Sequence, residues 1–118
     1  MLELLPMANT SNPTHLTNST YQEFLKQNPF VVADFFADWC GPCQMMLPIF
    51  DELAQGINAA KPEVVFAKIN IDESAAATDE ANVLSVPTFI VYKNGEEVDR
   101  HIGGASPTEL QKFIESNY

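Results

Sequence analysis

"ADWCGPCQ", Ala37 to Gln44, holds both cysteines of the chain, Cys40 and Cys43, with the only tryptophan, Trp39, directly before them. Upstream, "FVVADFF" (30–36) is a continuous β-prone run, which marks a strand covered on both faces. Downstream, Met46, Ile49, Phe50, Leu53 and Ile57 recur at helical spacing and predict a helix from about Gly41 to Asn58. Pro48 falls inside that helix and should kink it, because its ring clashes with the carbonyl of Gln44. The two thiols therefore sit where a buried strand turns into a helix.

Further along, "EVVFAKINI" reads as a second buried strand and "ESAAATDEAN" as a short helix. "TFIVY", the turn "KNGE" and "EVDRHI" form an antiparallel hairpin. "SPTELQKFIESN" opens with Ser106 as N-cap, Pro107 at the first helical position and Glu109 three residues after the cap, with Leu110, Phe113 and Ile114 as its buried stripe. Before the cysteines, "THLT" suits a short edge strand. "STYQEFLKQ" suits a short helix in which Thr20 and Glu23 are spaced as a capping box. The order β-α-β-α-β-α-β-β-α implies an α/β domain: a mixed central sheet of about five strands flanked by about four helices. Residues 1–13 read as a flexible N-terminal arm, in which Met7 could serve as the start, and residues 14–118 as one domain.

The composition narrows the function. A chain of 118 residues, 46% hydrophobic, has room for one core only. Sixteen acidic against six basic residues give a net charge of −10, which argues against nucleic acid and anionic membranes as partners. No apolar run approaches a membrane span. "MLELLPM" carries Glu3 where a secretory signal needs a cation, so a cytoplasmic setting is expected, where an isolated CxxC favours redox work.

Three chemistries use a CxxC pair. A closed zinc site needs four ligands, and only His15 and His101, single and far apart, remain to complete one. A purely structural bridge across so short a loop removes little chain entropy and stabilises weakly. A working dithiol fits better. Cys40 falls at the helix N-terminus, where unpaired backbone N–H groups favour a thiolate, and Cys43 falls one turn inside, within reach of Cys40. Cys40 is then the nucleophile and Cys43 the resolving thiol, with Gly41 and Pro42 shaping the turn between them. Asp34 is the other anomaly: it interrupts an apolar strand, and either reaches water at the strand end or is buried at a cost.

"DFFADWCGPCQMMLPIF", "VVFAKINID", "SVPTFIVYKNGEEV" and "GGASPTELQKFI" together resemble the thioredoxin family, in order and spacing, from about Thr14 to the C-terminus. The resemblance implies a thioredoxin fold and a general protein disulfide reductase. It implies that Asp34 serves proton transfer at Cys43 and that Lys68 tunes Asp34. It further implies a cis bond before Pro87, facing the cysteines, which frees the backbone of Val86 to bond an extended substrate as an added strand. Trp39, Gly41, Pro42, Gly103 and Gly104 complete the implied substrate surface. Residue by residue there are plainer readings: Lys68 as a surface lysine, Trp39 as core, the glycines as a strand-to-helix turn. Gln44, where the family commonly has Lys or Arg, and Phe36, where many members have Trp or Tyr, depart from the commonest pattern.

No nucleotide-binding motif is present, so no cofactor is expected. Electrons should then come from a separate thioredoxin reductase, by family analogy an NADPH-dependent flavoprotein, and pass to disulfide-containing protein substrates; a monomer is expected. An oxidase or isomerase of the same fold is disfavoured by the Gly-Pro pair. A non-catalytic binding or holdase subunit is the alternative from outside redox chemistry.

Overall fold

The computed structural model describes residues 12–118. The expected arm, with Met7, lies outside the described residues except for Asn12 and Pro13. Nine elements follow in the expected order: β1 (Thr14–Leu16), α1 (Tyr21–Gln27), β2 (Phe30–Phe36), α2 (Gly41–Ala60), β3 (Val64–Asn70), α3 (Ala75–Glu80), β4 (Thr88–Lys93), β5 (Glu96–Ile102) and α4 (Pro107–Glu115). The sheet runs β1-β3-β2-β4-β5. β1 and β2 both pair with β3 in parallel, while β4 lies antiparallel to β2 and β5 antiparallel to β4.

Every residue of β2 is buried, which explains why its sequence lacks the polar alternation of a half-exposed strand. Its side chains still alternate between faces. Val31, Ala33 and Phe35 join a core that includes Tyr21 and Leu25 of α1 and Ala77 of α3. Phe30 and Val32 join Met46, Phe50, Ala54 and Ile57 of α2 and Leu110 and Ile114 of α4. Phe36 packs with Cys40 and Cys43. The last residue of the strand thus packs directly on the cysteines.

Local signals mostly fold as expected. The hairpin turns through Asn94 (φ 53°) and Gly95 (φ 85°), the two left-handed residues that a type I′ turn requires. The Ser106 hydroxyl accepts from the Glu109 N–H at 3.1 Å, and the Glu109 carboxylate accepts from the Ser106 N–H at 2.9 Å. This completes the capping box. Ser106→Ala should therefore cost about 1 kcal/mol, the usual contribution of an N-cap side chain. Urea denaturation of the two proteins measures it, and coincident midpoints would show that the box contributes nothing.

Two local expectations need correction. Thr20 precedes α1 but makes no side-chain cap; its hydroxyl accepts instead from the Thr17 N–H at 2.9 Å. Thr20 has helix-like angles (φ −110°, ψ −13°), so the hydroxyl turns back into the preceding turn, and Glu23 accepts from Gln27 instead. Helix α2 also continues past Asn58 to Ala60. Asn58 is buried and donates its amide to the carbonyls of Pro62 and Val64, tying the helix end to β3 rather than stopping it. Pro48 sits inside this one continuous helix.

Candidate active site

Cys40 is the N-cap of α2, with extended backbone (φ −92°, ψ 110°), and the N–H of Cys43 donates to Cys40 Sγ at 3.2 Å. The orphan amides of a helix start thus act directly on one sulfur. The pair is joined as a disulfide with 5.2 Å between Cα atoms. Cys40 retains 4% of its surface and Cys43 none. Gly41 and Pro42 are exposed at the helix start, where Pro42 lacks only an N–H that would be unpaired anyway.

The Val86–Pro87 peptide is cis, and Val86 O lies 3.8 Å from Cys40 Sγ. Gly103 donates its N–H to Pro87 O at 2.8 Å with φ 98°, a conformation that favours glycine. Gly104 is exposed, and its carbonyl lies 3.4 Å from His101 Nε2. One residue on, the Ala105 N–H lies against Met46 Sδ at 3.5 Å, tying the loop to α2. The helix start, the segment before β4 and the loop after β5 are therefore linked. His101 is half-buried between the rings of Phe89 and Phe113; His15 is exposed.

Trp39 is not core. It is 70% exposed, and its Nε1 donates to Asp72 at 2.8 Å. Asp72 follows β3, and nothing local in the sequence couples two residues so far apart. Met46 was legible only as helix packing, because its contact with Ala105 depends on how α2 and the last loop meet. Gln44 turns its amide to the Ala37 carbonyl at 3.2 Å, bracing the turn around the cysteines.

Asp34 is fully buried, and neither carboxylate oxygen has a hydrogen-bond partner among the described residues. The strand-end reading is thereby excluded. Strand alternation places it between Val32, which packs on α2, and Phe36, which packs on the cysteines. Burial pushes its pKa up to about 7; Lys68 opposes the shift, and Asp51 adds to it. Lys68 is the partner of Asp34 across β2 and β3 and is half-buried. No group of three or more His, Cys, Asp or Glu that could hold a metal occurs among the described residues.

The family model for thioredoxin matches residues 12–116. The chain belongs to the thioredoxin family. It is 44% identical over 102 residues to mitochondrial thioredoxin-3 of Saccharomyces cerevisiae, covering 86% of this chain and 76% of that one. It is 37% identical over 99 residues to thioredoxin 1 of Plasmodium falciparum, covering 84% and 90% respectively. A thioredoxin mutant of Halobacterium salinarum superposes with a TM-score of 0.80 at 33% identity, covering 93% of this chain and 94% of the other. The expected thioredoxin fold is the observed one, a five-stranded mixed sheet with four helices.

Because Trp39 is next to Cys40 in the chain, the indole should report the redox state. Trp39 is the only tryptophan and is peptide-bonded to Cys40. A disulfide quenches indole emission at contact, so reduction should raise the fluorescence. Superimposable emission spectra before and after dithiothreitol would mean that the bond to Asp72 holds the ring away from the sulfurs.

Proposed function

We propose that this chain is a general protein disulfide reductase working through Cys40 and Cys43. The observation that carries the reading is the disulfide at the start of α2, with one backbone amide directed at Cys40 Sγ. In the reduced protein, the Cys40 thiolate attacks one sulfur of a substrate disulfide and expels the other as a thiolate. Cys43 then loses its proton, attacks Cys40 and expels the second substrate sulfur. Two electrons pass to the substrate, and the Cys40–Cys43 bond is left behind. That bond is re-reduced by a separate reductase, for which an NADPH-dependent flavoprotein is our reading.

Asp34 is assigned the Cys43 proton. A carboxyl group titrating near 7 is charged often enough to accept a proton and neutral often enough to return it. Lys68 tempers the shift and keeps the group in that range. For substrate binding, the Val86 carbonyl beside Cys40 suits an extended chain docking as an added strand, flanked by Trp39, Gly41, Pro42, Pro87, Gly103 and Gly104.

Reduction of insulin disulfides, with dithiothreitol or a thioredoxin reductase as donor, tests the function; an inert protein that still bound oxidised substrates would point to the holdase reading instead. No helix among the described residues is long and apolar enough to cross a membrane. We read the compartment as cytoplasmic, since a lone CxxC suits a reducing environment; a fluorescent fusion imaged in cells would test it.

A further inference from the structure

Arg100 stands on β5, opposite Ile90 of β4, on the sheet face that packs against α1 and α3. Its Nη2 donates to Ala81 O at 2.8 Å and its Nη1 to Asn82 O at 3.2 Å. The same guanidinium is held from behind by Glu97, through Nε at 2.6 Å and Nη2 at 2.7 Å. Residues three apart on a regular strand face opposite sides. The pairing register between β4 and β5 shifts here, with Val91 opposite Asp99 but Tyr92 opposite Glu97. The extra residue, Val98, returns Glu97 and Arg100 to one face.

The two carbonyls that Arg100 grips end α3. The N–H groups of Asn82 and Val83 fold back to the carbonyls of Asp79 and Thr78, and Asn82 takes the left-handed conformation (φ 57°). That Schellman arrangement satisfies the helix's own last carbonyls but leaves those of Ala81 and Asn82 free. Immediately beyond lie Leu84, 90% exposed, and Val86, whose carbonyl stands beside Cys40. The far end of this segment is fixed by the Thr88 hydroxyl on Ser85 O at 2.7 Å and by Gly103 on Pro87 O.

We propose that Arg100, braced by Glu97, is a positioning residue for the substrate segment Asn82–Val86, clamping its start so that the Val86 carbonyl is presented to an incoming chain. The inference rests on the reading that substrate adds as a strand at Val86. The fork makes four hydrogen bonds from three nitrogens, to two carbonyls and both oxygens of a carboxylate, which one ammonium with three N–H groups on a single nitrogen cannot reproduce. Losing the clamp leaves the segment to be ordered at binding, a cost that appears in substrate affinity rather than in sulfur chemistry.

The test compares wild type, Arg100→Gln and Arg100→Lys on three probes. These are an extended cysteine-containing peptide disulfide, its depsipeptide analogue with an ester replacing the amide that would face Val86 O, and hydroxyethyl disulfide, which has no peptide backbone. Both variants should raise KM for the peptide roughly three- to tenfold. They should leave kcat and the rate with hydroxyethyl disulfide unchanged, and hydrogen exchange at Leu84–Val86 should quicken. An unchanged peptide KM, a wild-type result for Arg100→Lys, or an equal loss on peptide and hydroxyethyl disulfide overturns the clamp. If wild type reduces the ester as readily as the amide, it is strand addition at Val86 that fails. A preference for the amide combined with an unaffected Arg100→Gln overturns the clamp alone.

Discussion

Cys40→Ser reduces disulfide reductase activity to background and captures no substrate, whereas Cys43→Ser accumulates stable mixed disulfides through Cys40. The asymmetry follows from the geometry of one helix turn. Cys40 keeps a little exposed surface, its sulfur receives the Cys43 N–H, and it faces Val86. Cys43 is fully buried beneath it. A substrate sulfur can approach the first from solvent but can reach the second only after the first has reacted. The amide donor also stabilises negative charge on Cys40, and the thiolate is the attacking species. Mass spectrometry of adducts trapped with an oxidised substrate checks the order. Adducts formed as fast through Cys43 in the Cys40→Ser protein would reverse the assignment.

Asp34→Asn makes the protein more stable than wild type above neutral pH, with an advantage that shrinks as the pH falls. The folded-state pKa of Asp34 is raised to about 7 from 3.8. Between those values the folded protein holds a proton that the unfolded chain has released. The stabilising contribution of that proton is fully present below the unfolded value and is lost as pH rises through about 7. Wild type should therefore lose about 3 kcal/mol relative to Asp34→Asn between pH 5 and pH 8, at 1.36 kcal/mol per pH unit over the part of the shift that lies in this range. Urea denaturation of the two oxidised proteins across that range measures the difference, and a difference that does not vary with pH would remove the buried-acid account. The same substitution should slow release of substrate from the Cys40 mixed disulfide, since Asp34 is the group proposed to take the Cys43 proton. It should also abolish the inflection near pH 7 in that step.

The chemistry of the site was readable because it is compressed into a few consecutive residues. A buried strand, two thiols at CxxC spacing and a helix that begins between them are all local facts. So are the Ser106 capping box and the Asn94–Gly95 turn, each decided by side chains within four residues of one another. Sequence could also flag Asp34 as misplaced, though not whether it reached water. That depended on packing between segments distant in the chain.

Where local reasoning failed, a competing partner lay nearby or far away. Thr20 had the right spacing for a capping box, but the Thr17 N–H took its hydroxyl. Asn58 looks like a helix stop until its amide meets Val64 at the start of β3. Asp72 holding Trp39, Met46 touching Ala105, and Arg100 gripping the end of α3 have no signature in the linear pattern. A polar side chain spends its hydrogen bonds on whatever the fold brings within about 3 Å. By itself the sequence determined the element order, the thioredoxin resemblance and the reactive pair. Only the tertiary structure decided what surrounds that pair, because burial and long-range contact belong to the folded chain and to no stretch of it alone.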